Sequence, residues 1–398
     1  MKPLEHIKVL DLTHMLSGPY ATQLLADLGA ETIKIEPPGQ GEGTRRLLEK
    51  DAAHSVDGMG AYFLTLGRNK KSVAIDLKHE AGRSLFYRLV EKADVVVYNF
   101  RAGVAEKLGI GHGRLMEINP RIVTCSITGF GETGRNKDAV SFDLVAQATG
   151  GGMSITGTEE HPLRSGIPIG DLGGGLMGAI GILSALQARV ASGKGQHVDI
   201  SMQDAQISML NYMATMYFLS GTQPPAIGNS HFVHVPYDSF KTRDGHIILA
   251  IITDGLWEKF VGLTGLDHLA TEENKVQPGR WKNRTQIMSD VTALIAAEDN
   301  AFWLDKLQKN GIPCAPVNTF ASALNDPHVA DRRMVVDVAH PNGQVVKQVG
   351  NPIKLSEYPI EEFTAPPLLG HDTDSVLSAW LQLGATELAA LRQVGAVQ

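Results

Sequence analysis

Short apolar runs and helical stripes alternate along the first third of the chain. Residues 6–12 (HIKVLDL) are rich in branched side chains, 13–19 form a polar turn ending in Gly-Pro, 20–28 carry a helical pattern, and 31–36 read as a strand again. Strand, helix and strand within about 30 residues is the unit that a parallel sheet requires. The rhythm returns with strand-like 72–77, helical 80–92, and strand-like 94–98 and 121–127. It predicts an α/β fold built on a Rossmann-like, doubly wound parallel sheet. The most apolar long window, 172–190, opens with glycines and contains Ser184, Gln187 and Arg189, which fits a buried helix better than a lipid-facing one.

Beyond Ser201 the texture changes. Residues 203–219 are Met-rich and helical, and 221–229 carry the Gly, Pro and Thr of a linker. Residues 236–252 read as two strands around Thr242-Arg243-Asp244-Gly245, 256–310 are mainly helical, and the tail from 350 returns to loop and helix.

Composition narrows the function. A length of 398 residues, at roughly 100–200 per domain, predicts two domains, with room for a third. With 43% apolar and 20% charged residues the chain is globular. Its net charge is −7 and its Lys and Arg occur in nothing longer than pairs such as Lys70-Lys71, so no nucleic-acid partner is expected. Cys125 and Cys314 are too few for a disulfide scaffold and suit a reducing compartment. No secretory signal is visible, so the expectation is a soluble, cytoplasmic protein without a membrane partner. His231, His234 and His371 show no HExxH spacing, and no metal is expected. The first strand does not lead into GxGxxG, which disfavours a nicotinamide cofactor.

The strongest chemical signal is Gly170-Asp171-Leu172-Gly173-Gly174-Gly175, just before the helical stripe Leu172, Leu176, Ile180, Leu183, Leu186, Val190. The pattern puts Asp171 at a helix N-cap, where N–H groups and the macrodipole favour the anion. Gly173 and Gly174 would leave backbone N–H groups open to an oxyanion. An ordinary capping Asp before a tightly packed helix has the same pattern. Asp143, in Ser141-Phe142-Asp143, is a second carboxylate that also fits a capping or exposed role. Arg68-Asn69-Lys70-Lys71 precedes a strand, Asn99-Phe100-Arg101 follows one, and His14 sits in the loop after the first. Loops after strands bind ligands in open α/β folds, and Arg or Lys there suits phosphates; a solvated surface reads the same way.

Together these motifs resemble the class III CoA-transferase family, which includes formyl-CoA transferase, carnitine CoA-transferase and the α-methylacyl-CoA racemases. The likeness runs from VLDLTHMLSGPYATQLLADLGAETIKIE through RNKKSVAIDLK, ADVVVYNF, NPRIVTCSITGFGETG, SFDLVAQATGGGMSITG, GDLGGG and GKGQHVDISMQDA to GIPCAPVN and APPLLGHDT. It implies that Asp171 is a covalent nucleophile, with Asp143 either assisting it or holding the Phe142 loop. It implies CoA lying along His14, Met15, Ser17, Arg68, Lys71, Asn99, Phe100, Arg101 and Lys107, as substrate with no permanently bound cofactor. It also implies an interlocked homodimer. The expected layout is a large domain over 1–200, a linker over 201–224, a smaller α+β domain over 225–320, and a segment over 321–398 that returns to the large domain.

Departures from the family's patterns narrow the reaction. The racemases use a His-Asp pair whose first position is matched here by Phe142, which carries no proton. Formyl-CoA transferases have Gln where this chain has Leu16, and carry a glycine run absent between 224 and 245. Oxalate and formyl-CoA are therefore disfavoured. Gly228-Asn229-Ser230-His231-Phe232-Val233-His234-Val235-Pro236-Tyr237 resembles the glutarate, itaconate and related dicarboxylate members. That likeness implies succinyl-CoA as donor and a short dicarboxylate as acceptor, with His231, His234 or Tyr237 near the distal carboxylate. A racemase on the same fold and an inactive CoA-binding protein are the alternatives.

Overall fold

A computed structural model describes residues 2–358 and 361–398. Six parallel strands, β1 (Lys8–Asp11), β2 (Glu31–Glu36), β3 (Lys70–Ala74), β4 (Val95–Tyr98), β5 (Val123–Thr128) and β6 (His197–Ser201), form one sheet in the order β3-β2-β1-β4-β5-β6. The order reverses between β1 and β4. This is the doubly wound arrangement that the strand-helix-strand rhythm predicts.

Period-two alternation sends successive side chains to opposite faces, and both faces are covered. Leu10, Ile33, Ile35, Val73 and Val96 pack with Leu85, Phe86 and Leu89 of the helix Glu80–Val90 on one side. Val9, Val95, Val97, Val123, Cys125 and Ile127 pack on the other side against helix α1 (Ser17–Asp27) and a long helix further on. Full burial of each such aliphatic side chain contributes about 1.5–3 kcal/mol, which accounts for the near-continuous apolar strands.

Helix α2 (Asp143–Thr149) precedes that long helix, α3 (Ile169–Ser192). By length and composition α3 could cross a membrane, and half of its most apolar window is buried. Its glycines explain how it packs so closely. A Cβ on Gly175 would sit 2.5 Å from the Ser17 carbonyl oxygen of α1, and one on Gly178 2.6 Å from Ile127 Cδ1. Helix α4 (Met202–Ser220) follows β6 and is kinked at Asn211, whose φ is 47°.

The described chain divides into two compact units. The larger comprises 1–153, 164–222 and 330–398, and the smaller 154–163 and 223–329. The larger unit's last segment covers the β3 edge. Ser72 N–H donates to Asp372 Oδ2 at 2.9 Å, Asp372 N–H donates to the Ser72 carbonyl at 3.0 Å, and Trp380 enters the core.

The smaller unit holds an antiparallel sheet of β7 (Tyr237–Lys241), β8 (His246–Ala250) and β9 (Cys314–Pro316), with β8 central. Its core is Phe240, Ile247, Leu249, Trp257, Phe260, Ile287, Val291 and Trp303, drawn from this sheet and the helices α5 (Asp254–Thr264), α6 (Arg284–Ala296) and α7 (Asn300–Gln308).

Candidate active site

In an open α/β sheet the natural crevice lies beyond the carboxyl ends of the strands where the order reverses. Here that point is flanked by the loops leaving β1 and β4. Asn99 joins them. Its Oδ1 accepts the His14 N–H and its Nδ2 donates to the His14 carbonyl, both at 2.7 Å. Met15, next in the loop, has a left-handed φ of 63°, a conformation that a non-glycine residue holds only when its surroundings impose it.

The β1 loop rests on a buried ionic cluster. Lys70 Nζ donates to Asp11 Oδ2 at 2.9 Å and to Thr22 Oγ1 at 2.8 Å, and Lys34 Nζ donates to the Thr13 carbonyl at 2.8 Å. Burial alone would push Asp11 upward, but Lys34 and Lys70 hold its carboxyl well below the usual range. Burial lowers Lys70, against the pull of Asp11.

The N-cap of α3 is Pro168, which has no side-chain acceptor. Asp143 supplies one from the first turn of α2. Its Oδ1 accepts from Gly170 N–H at 2.8 Å and from Asp171 N–H at 3.3 Å, and its Oδ2 accepts from Gln147 Nε2 at 2.8 Å. The capping that normally comes from the helix's own N-cap residue thus comes from a neighbouring helix.

This corrects the sequence-based expectation for Asp171, which is the third residue of α3 and not its N-cap. The helix end that would have favoured its anion is satisfied by Asp143 instead. Burial, and then the Asp143 charge, push the Asp171 carboxyl up to about 6. No hydrogen bond or ion pair holds that carboxylate among the described residues. The glycine expectation is corrected as well. Gly173 and Gly174 lie beyond the first four helical residues, so their N–H groups belong to intrahelical bonds. Cβ atoms there would meet Met209 Cε at 2.7 Å and Met202 Cγ at 2.9 Å, so these glycines serve packing against α4.

A cavity of about 340 Å³ opens over these elements. It is lined by Met15, Leu16 and Ser17 after β1, Asn99, Phe100 and Arg101 after β4, Thr128 and Gly129 after β5, and Phe142, Asp143 and Asp171. Nine of the residues singled out in the sequence therefore converge on one place. His14 adjoins them, its ring 5.5 Å from that of Phe100. Burial, with Lys34 nearby, lowers its pKa to about 4, so at neutral pH it is an uncharged ring.

Three expected cationic contacts lie elsewhere. Arg68 is buried, with its guanidinium on Asp27 at 2.7 Å and also donating to the Val349 carbonyl. Lys71 pairs with Glu31 at 2.7 Å, and Lys107 is exposed outside the cavity lining. The cations at the cavity are Arg101, Lys137 and Arg164. Lys137, beside Asp138 and close to Arg135, and Arg164 lie in polar loops with no motif to mark them. His231, His234 and Tyr237 come together in the smaller unit, where they line a separate cavity.

A family model described as CoA-transferase family III matches residues 4–373. The chain is 38% identical over 395 residues to a succinyl-CoA:mesaconate CoA-transferase of Haloarcula marismortui, covering 98% of this chain and 99% of that protein. It is 37% identical to an acetyl-CoA:oxalate CoA-transferase of Acetobacter aceti, covering 92% and 93%. A solved CAIB/BAIF family protein from Brucella suis superposes with a TM-score of 0.84 at 34% identity, covering 95% of this chain and 99% of that one.

Proposed function

From the premise that the chain belongs to CoA-transferase family III, we propose that it moves CoA from succinyl-CoA to a short dicarboxylate through a covalent thioester on Asp171. The observation that carries the reading is a carboxylate with no hydrogen-bond or ion-pair partner among the described residues, facing a cavity at the sheet's switch point. With its carboxyl titrating near 6, Asp171 is mostly ionised at neutral pH and more basic than an ordinary aspartate.

The chemistry balances without a redox or metal step. The Asp171 carboxylate attacks the donor thioester carbonyl, the C–S bond breaks, and an aspartyl-acyl anhydride and CoA thiolate form. The thiolate attacks Cγ of Asp171, releasing succinate and leaving aspartyl-CoA. The acceptor carboxylate attacks that thioester, giving a second anhydride and thiolate. The thiolate then takes the acceptor's acyl carbon and frees Asp171. Each step exchanges groups of similar energy, which is the advantage of covalent catalysis. Arg101, Lys137 and Arg164 are the cavity's candidates for CoA phosphates, and Asn99 keeps the loops that would flank the pantetheine in register.

The dicarboxylate reading draws on relatives named for mesaconate and oxalate, both dicarboxylic acids. The relative named for oxalate, at 37% identity, reopens that acid as an acceptor despite Leu16 and the missing glycine run. The test is to mix the protein with succinyl-CoA and a panel of mesaconate, glutarate, itaconate, oxalate and carnitine, reading new CoA esters by mass. Dicarboxylyl-CoA products support the reading, and strongly preferred transfer to carnitine rejects it.

Self-association belongs to the same proposal. Ile180, Val190, Phe218 and Leu219, on α3 and α4, are 57–84% exposed, apolar side chains of the kind that a second copy covers. A homodimer predicts a light-scattering mass of twice 42.9 kDa.

A further inference from the structure

The smaller unit has a cavity of about 360 Å³ whose lining includes one cation, Arg284. Arg284 opens α6, the end of a helix where the macrodipole opposes a positive charge, so helix stability does not explain it. Among the described residues it makes no ion pair and no hydrogen bond; its guanidinium lies 4.8 Å over the Trp281 ring. Arg280, one turn earlier, is the contrast. It is buried and commits its guanidinium to Asp254 at 2.7 Å and to the carbonyls of Asn274 and Lys275.

The loop that carries His231 lines the same cavity and presents a second donor. His231 Nδ1 accepts from Val233 N–H at 3.0 Å and from His234 N–H at 3.2 Å. That nitrogen therefore carries a lone pair, and the proton of the neutral ring is on Nε2. Burial and the neighbouring His234 lower the His231 pKa, in keeping with a neutral ring. Tyr237 packs against it with ring centroids 5.2 Å apart, and the rest of the lining mixes the apolar Ile227, Val235 and Met288 with the polar Ser230, His234 and Thr285. A planar cation and an N–H donor in a cavity that also offers apolar side chains match a carboxylate on a short hydrocarbon chain.

We propose that this cavity binds one carboxylate of a short dicarboxylic acid, with Arg284 as charged anchor, His231 Nε2–H as second donor, and Ile227, Val235 and Met288 against the methylene chain. The dicarboxylate reading above supplies the ligand's identity. The assignment gives Arg284 a carboxylate-binding role that the sequence did not single out.

Calorimetric titration of the full-length protein with glutarate, butyrate, inorganic phosphate and CoA tests it. Glutarate should bind to the wild type, and Arg284→Gln should weaken it at least tenfold while leaving CoA binding within twofold. Arg284→Lys should recover only part of the loss, because an ammonium lacks the two-pronged fork. Arg284 is exposed and makes no hydrogen bond among the described residues, so these variants should keep the wild-type circular dichroism. Unchanged glutarate binding in Arg284→Gln, no competition from butyrate, which offers the same single carboxylate and methylene chain, or phosphate displacing glutarate at this site overturns the proposal. A parallel mass measurement of the CoA adduct from succinyl-CoA keeps the two readings separate. An adduct with Arg284-independent glutarate binding sinks this inference alone, and Arg284-dependent binding without an adduct sinks only the transferase mechanism.

Discussion

Asp143 caps the helix that carries Asp171, with Asp143 Oδ1 accepting the Asp171 peptide N–H at 3.3 Å and that of Gly170 at 2.8 Å. One carboxylate thus fixes the backbone of the other while its charge raises the other's pKa. The two effects separate by substitution. Asp143→Asn keeps an acceptor oxygen but removes the charge, so the acid limb of the kcat/KM profile should move below its wild-type position near pH 6. Asp143→Ala also loses the cap, at about 0.5–2 kcal/mol of stability by denaturant unfolding. A limb that stays in place in Asp143→Asn would remove Asp143 from the electrostatics of the site.

A carboxylate made less acidic by the fold opposes folding when it ionises. Asp171 has a folded pKa of about 6 against an ordinary 3.8, so its cost is full above pH 6, shrinks between 6 and 3.8, and vanishes below. Asp171→Asn should therefore stabilise the protein by on the order of 1–2 kcal/mol at pH 7.5 while abolishing turnover, the usual conflict between activity and stability. The gain should fade when unfolding is followed down to pH 4; a gain independent of pH would contradict the electrostatic cause.

Lys70 is wholly buried against Asp11 and Thr22. Among the described residues, Lys70→Met leaves Asp11 with Lys34, at 3.8 Å, as its remaining charged partner. A broken buried pair costs about 3–5 kcal/mol. Denaturant unfolding should register that loss, together with a raised KM for the CoA donor, because the β1 loop sits on this cluster.

The packing of α3 on α1 leaves no room at Gly175. Gly175→Ala places a methyl 2.5 Å from the Ser17 carbonyl oxygen, and the helices must part. A loss of about 1–3 kcal/mol is expected, read as a lower melting temperature. The same substitution at Gly262, where nothing lies within 4 Å, is the control and should not lower it.

Much of the fold was legible because a parallel sheet covered on both faces writes its strands as apolar runs. β2 falls on the predicted 31–36, and the strands β1, β4 and β5 lie within or close to their predicted stretches. The difficulty came where polar side chains enter the sheet. β3 begins at Lys70, before the predicted 72, because a lysine buried on Asp11 looks like a loop residue. β6 carries a weak strand signal, since His197 bonds Thr124 Oγ1 at 2.8 Å and Glu132 at 3.0 Å, giving that face no apolar signature. The hairpin of Val335–Ala339 and Val345–Val349 has exposed positions along both strands and buries little apolar surface to mark it. In the site, residue types were legible and roles less so. Motif likeness drew attention to Asp171, Asp143 and Asn99, but a cap supplied by another helix and an Arg without a partner are three-dimensional facts with no local pattern.

The most direct measurement is the intact and peptide mass of the protein after incubation with succinyl-CoA and no acceptor, with hydroxylamine to trap activated carboxyls. The account predicts a CoA adduct, and after trapping a hydroxamate, on the peptide that holds Asp171, both lost in Asp171→Ala together with transfer to mesaconate or glutarate. An adduct on another residue, or transfer undiminished in Asp171→Ala, would contradict it.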